Sequence, residues 1–178
     1  MIRNRHATLS LLLILLLAAA GATPAQAGDC REALRPLLTR TDPPADALDA
    51  VHARCQAQAD AGDADAVYQL ALFELGLGGN WQPDAAIPKM IDAAARGVPE
   101  AQYWLAWQYE EGPLLPDDTA IALGWYQRAA NAGHRLAIAR LAEAYEAGEL
   151  GLARDPLAAA QYRARQAQCL QAPPRPGG

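Results

Sequence analysis

Between Ala101 and Ala137 the apolar positions recur at helical spacing, and two breaks divide them. Ala101, Leu105, Ala106 and Tyr109 share one face of a first helix that Gly112 stops. Asp118 is placed to cap a second helix, in which Ala122, Trp125, Tyr126, Ala129 and Ala130 recur until Gly133. The pattern predicts two antiparallel helices joined by a short loop.

The same hairpin returns along the chain. A shift of 36 residues carries Ala101, Leu105, Ala106, Tyr109, Gly112 and Tyr126 onto Ala137, Leu141, Ala142, Tyr145, Gly148 and Tyr162. A shift of 35 the other way reaches Ala66, Leu70 and Ala71, and a further 36 reaches Cys30 and Leu34. Hairpins are therefore predicted at about 30–65, 66–100, 101–136 and 137–169, the first of them degenerate. Their helices are expected over Cys30–Arg40 with Pro36 as a kink, Asp46–Ala61, Ala64–Leu75, Asp84–Arg96 and Leu136–Ala147, with Asp155-Pro156 opening the last. Residues 171–178 read as a disordered Pro/Gly tail. One hairpin of this size cannot bury its apolar face alone, whereas stacked copies can, so the fold class is all-α, an α/α solenoid of about four hairpins.

The combined pattern A-x3-L-[GA]-x2-Y-x2-G, then D-x3-A-x2-W-Y-x2-A-A-x2-G, resembles the Sel-1-like repeat, a relative of the tetratricopeptide repeat. Hairpin 101–136 matches nearly throughout. The next has Gln161, Arg165, Gln166 and Cys169 at consensus positions, and the preceding one has Glu74 for Tyr and Lys89-Met90 for Trp-Tyr. The resemblance implies protein–protein interaction through a concave face lined by the first (A) helix of each hairpin. By similarity to tetratricopeptide domains, that face would carry Tyr68, Gln69 and Leu72, then Tyr103, Trp104 and Trp107, then Ala139, Arg140 and Glu143. Trp107 either lines this groove or packs against the neighbouring A helix. Tyr109, Trp125 and Tyr126 are read as core, and Trp81 as a loop-packing residue.

Composition adds a compartment. Residues 1–27 have Arg3 and Arg5, an apolar run from Leu9 to Ala20, and Ala25-Gln26-Ala27 as a small-x-small cleavage site, the pattern of a secretory leader. The run is shorter than the ~20 residues a spanning helix needs. The expected location is periplasmic or secreted, with no stable membrane insertion after cleavage. Loss of two Arg leaves thirteen basic against twenty acidic residues, a formal charge of −7. An acidic chain without a basic stripe disfavours nucleic acid as a partner.

Catalytic chemistry finds little support. Ser10, in the leader, is the only serine. No Cys or second His stands at ligand spacing from His52 or His134, which read as surface histidines, so no metal and no cofactor is expected. The reading is a non-enzymatic adaptor for an unidentified protein or peptide. The alternative is a cell-wall fragment or other small ligand in the same aromatic groove.

Export also permits disulfides. Cys30 opens the first A helix, and Cys55 falls where Tyr126 stands in the central hairpin. In a hairpin turning near Asp42-Pro43, facing residues have numbers summing to about 85, as 30 and 55 do. That predicts a Cys30–Cys55 bridge and leaves Cys169 as a free thiol or an intermolecular link on an otherwise monomeric chain. The leader makes its own prediction: mass spectrometry of protein from the periplasm should find Gly28 as the first residue, and an intact N-terminus in a membrane fraction would reverse the localisation.

Overall fold

The structure, a computed structural model, describes residues 29–77 and 79–171; the leader pattern and residues 172–178 of the tail lie outside them. Among the described residues are eight helices: α1 (Cys30–Leu38), α2 (Ala45–Asp60), α3 (Ala64–Glu74), α4 (Pro83–Ala95), α5 (Pro99–Glu111), α6 (Thr119–Asn131), α7 (Arg135–Ala147) and α8 (Pro156–Gln171). Successive helices pack as hairpins, and each second (B) helix also packs on the A helix that follows it. The result is the all-α solenoid that the repeat spacing predicts.

Local chemistry sets the helix ends. Asp29, Asp63, Asp118 and Asp155 each accept backbone N–H bonds from the first turn they precede. α5 begins two residues before Ala101, because Pro99 suits the first helical turn. α1 stops at Leu38 rather than Arg40, where the Thr39 hydroxyl donates to the Pro36 carbonyl at 3.0 Å. Pro36 lies within that helix without ending it. α2 opens at Ala45 behind Pro44, one residue before the expected Asp46, and has no side-chain cap. α8 runs through Gln171, so the tail expected from 171 begins one residue later at the earliest.

The turn inside each hairpin repeats as well. The carbonyls of Glu74, Tyr109 and Tyr145 each accept, at 2.7 Å, the backbone N–H of the residue that precedes the second helix: Gln82, Asp118 and Asp155. In the central loop Gln108, only 2% exposed, turns its Oε1 to the Leu114 N–H at 3.0 Å. A Cβ on Gly112 would collide with Gln108, so the loop closes over that glutamine only if position 112 is glycine.

Small residues meet large ones in the core. Ala101, Ala106, Ala122, Ala129, Ala130 and Ala137 are fully buried, and Tyr126, Leu105 and Leu141 fill the space between them. Met90 occupies the register of Tyr126 in the preceding hairpin and is equally buried. Trp125 is half-buried and touches two of the three core clusters, with the Arg128 guanidinium 4.5 Å from its ring centre. Trp81 departs from its expected loop-packing role: its backbone pairs with Leu75, but its ring is 61% exposed and only skirts Gly76.

Hydrogen bonds stitch one hairpin to the next. Arg96 donates to the Gly62 carbonyl, Gln102 to that of Ala94 at 3.0 Å, and Arg165 to that of Ala130 at 2.9 Å. Each donor adds a bond to a carbonyl at the end of a B helix, or just beyond it; those of Ala94 and Ala130 also accept the backbone N–H of Gly97 and Gly133. Among the described residues the first hairpin has a neighbour on one side only, and it carries the covalent link. Cys30 and Cys55 are bonded across α1 and α2 with Cα atoms 5.0 Å apart, and both are fully buried. Cys169 is unpaired and half-buried against the core of the last two hairpins.

The bridge should stabilise the fold by about 3 kcal/mol through the lost freedom of the unfolded loop. Paired Cys30→Ala and Cys55→Ala substitution should therefore lower the thermal midpoint by well over 5 °C. An unchanged midpoint would show that the first hairpin is held by packing alone.

Candidate functional site

The A helices place their non-core side chains on one face, in two groups of different chemistry. The first is a cleft of about 240 Å³ lined by α1 and α3, with Glu100 of α5 at its border. Leu34, Leu38, Tyr68 and Leu72 give it apolar walls, and Arg31, Arg35, Gln69 and Glu100 give it polar ones. Arg31 ties three hairpins together here, meeting Asp65 at 2.6 Å and Glu100 at 3.2 Å. Burial works against its charge, but the two carboxylates hold its pKa above the ordinary value. Burial, and then Glu100, push the Tyr68 phenol up to about 12, so Tyr68 stays a protonated donor at neutral pH.

The second group lies on α5 and α7. Tyr103, Trp107 and Glu111 follow one another at four-residue intervals along α5, which keeps them on one stripe. The Trp107 indole is 37% exposed, and its N–H donates to Glu111 Oε1 at 3.1 Å. Tyr103 is half-buried, stacked on His134 at 4.5 Å between ring centres and edge-on to Tyr126 at 5.8 Å. Glu143 of α7 is exposed, and its charge reaches the Tyr103 phenol.

Glu110 sits beneath this stripe as a junction. Tyr126 donates its phenolic O–H to Glu110 Oε2 at 2.6 Å, and Arg140 donates its Nε to Oε1 at 2.9 Å. Arg140 also pairs with Glu149 at 2.8 Å. Burial and then the bond to Glu110 raise the Tyr126 pKa, because a phenolate could not donate to a carboxylate. The Glu110 hydrogen bond is also the leading reason that the Arg140 pKa is raised.

The predicted groove residues therefore divide. Trp107 and Glu143 stand on the surface, and Tyr68 and Tyr103 are half-exposed. Trp104 is half-buried against the core of the second and third hairpins. Gln69 is displayed less than expected: it lines the α1–α3 cleft but is 4% exposed, and its amide reaches Asp65 at 3.4 Å. Arg140 is anchored by its two carboxylates rather than displayed. Arg31, Arg35 and Leu38 of α1 were not anticipated; their spacing of four and three residues along one helix was the available signal.

His134 also differs from the surface histidine expected. It is half-buried and caps α7, its Nδ1 accepting from the Ala137 N–H at 3.3 Å. The other expected surface histidine, His52, is exposed, with its ring edge-on to Phe73 at 5.1 Å. Among the described residues no group of three or more His, Cys, Asp or Glu is placed to hold a metal ion, and no helix is long and apolar enough to cross a membrane.

Known proteins share this fold. The Sel1 repeat family matches residues 99–134 and 135–162. The crystal structure of a Sel1 repeat protein from Oxalobacter formigenes is 34% identical, with a TM-score of 0.60 over 65% of this chain and 86% of that one. The chain belongs to the Sel1 repeat family. A second solved structure is c5321, a protective antigen present in uropathogenic Escherichia coli strains and displaying an SLR fold. It is 25% identical with a TM-score of 0.62 over 82% of this chain, which spans 32% of that larger protein. No curated protein matches the chain. Sel1 repeats generally mediate protein–protein interaction and typically serve as scaffolds rather than enzymes. In this Sel1 repeat protein the family match falls on α5 to α8, where the consensus residues are densest.

The His134 cap predicts a pH dependence. Burial lowers the His134 pKa below its ordinary value, with Glu100 opposing. The folded state thus favours neutral imidazole. Its contribution is complete above the unfolded value of about 6.5 and is lost as pH falls through the lower folded value. The drop in thermal midpoint from pH 7.5 to 5.5 should be smaller in His134→Asn, which retains a cap acceptor and does not titrate. Equal drops in the two proteins would show that His134 is not a source of acid sensitivity.

Proposed function

We propose that this Sel1 repeat protein is a non-enzymatic adaptor of an exported, oxidising compartment. It would hold an extended peptide segment of a partner protein along the concave face of its A helices. One observation carries the reading: Trp107, an exposed indole, holds on α5 the repeat position that Leu72, a wall of the α1–α3 cleft, holds on α3. Aromatic side chains with a polar edge and a large apolar area are favoured anchors for partners. Grooves between helices take extended or helical segments through such anchors. The leader pattern and the buried disulfide support export, because disulfides persist in oxidising compartments.

Selection of a displayed random-peptide library on the purified protein tests this. Enriched peptides should bind Trp107→Ala about tenfold more weakly, while that variant keeps its thermal midpoint. Trp104→Ala should also lose about 2 kcal/mol of stability, less than the ~3–5 of a fully buried tryptophan. A library that yields no Trp107-dependent peptide removes the adaptor reading. Calorimetric binding of muropeptides through the same residues would replace it with a cell-wall ligand.

A further inference from the structure

We infer that the segment bound over α5 and α7 is cationic, an extended stretch that sets Lys or Arg side chains beside Trp107 and between Glu111 and Glu143. This rests on the groove reading above and adds the chemistry of the partner.

The charge arrangement carries the inference. Three carboxylates, those of Glu110, Glu111 and Glu143, act on the Tyr103 phenol within the stripe, and the Arg140 guanidinium opposes them. Arg140 is already engaged by Glu110 and Glu149. Among the described residues no ion pair engages Glu111 or Glu143. The Tyr103 phenol reports the local field. After burial, Glu110, Glu111 and Glu143 all raise its pKa, and only Arg140 opposes them. The α1–α3 cleft differs, because its Asp65 and Glu100 both meet Arg31.

Trp107 makes the acidic surface selective. Its N–H holds Glu111 Oε1 at 3.1 Å, which fixes a carboxylate at the edge of an indole that remains 37% exposed. Glu143 occupies the register of Trp107 one repeat later, 36 residues on. A Lys or Arg chain laid there meets carboxylates on two helices. Its methylenes and its charge both suit an indole surface. A metal ion fits poorly, since no group of three or more candidate ligands converges among the described residues. Nucleic acid would meet the wrong sign of charge.

The same library decides this separately from the groove reading. Peptides enriched at low salt should carry more Lys and Arg than the unselected pool. Their dissociation constants should rise about tenfold in the Glu111→Gln, Glu143→Gln double variant and should also rise with added salt. Gln at 111 keeps an acceptor for Trp107, and the double variant should melt as the wild type does. Trp107-dependent peptides without excess basic residues, or equal affinity for the double variant, would overturn the cationic inference and leave the groove standing. No Trp107-dependent peptide at all would remove both.

Discussion

Close approach of helix backbones is the constraint on which this molecule depends. It is met with alanine. Ala71, Ala86, Ala93, Ala101, Ala106, Ala122, Ala129, Ala130, Ala137 and Ala144 are all fully buried. A larger side chain at any of them would push two helices apart, and a packed interior has no free volume to absorb the change. The large residues, Leu105, Tyr126, Leu141 and Met90, then fill the space that the alanines leave. Packing consumes the face of each A helix that meets its B helices and covers the other face only in part. The candidate site lies there.

Stacking alone would let hairpins slide, and polar joints oppose that. The Glu110 junction draws together α5, α6 and α7 through Tyr126 and Arg140, and the Arg31 junction draws together α1, α3 and α5. The side chains of Glu110 and Arg140 are only 16% and 21% exposed, so their attraction is weakly screened. Arg163 and Glu146 pair with about half of each side chain in water, where such contacts contribute about 0–1 kcal/mol. The shielded joints, which cross from one hairpin to the next, fix the register of the A-helix face.

Where repeats resemble one another, their fold was legible. The offsets near 36 place every hairpin, and the caps at Asp118 and Asp155 and the Cys30–Cys55 pair follow from that register. It failed where a residue has no counterpart environment. Positions equivalent to the predicted groove in α1 would be Glu32, Ala33 and Pro36, yet Arg31, Arg35 and Leu38 line the cleft. Among the described residues no hairpin packs ahead of α1, and α1 is bonded to Cys55, so it presents a different face. His134 was misread for another reason: its burial comes from a ring on a different helix, Tyr103, which hairpin periodicity does not reveal.

The division between repetition and variation also bears on function. A stacked interface asks the same residue of every copy, as Ala66, Ala101 and Ala137 show. Positions that face no packed neighbour are under no such demand. Tyr68, Gln69 and Leu72 become Tyr103, Trp104 and Trp107, and then Ala139, Arg140 and Glu143. Some of that variety is absorbed by structure: Gln69 is covered, Trp104 is partly in the core, and Arg140 serves the Glu110 junction. What remains after these assignments is an exposed indole and carboxylates without ion-pair partners, set side by side on helices whose backbones are already fixed. A rigid frame that presents unsatisfied charge beside apolar area lowers the ordering cost of binding, because neither the backbone nor the Glu111 carboxylate has to be reorganised. On the proposed reading, recognition in this solenoid would be carried by the residues in which its repeats differ.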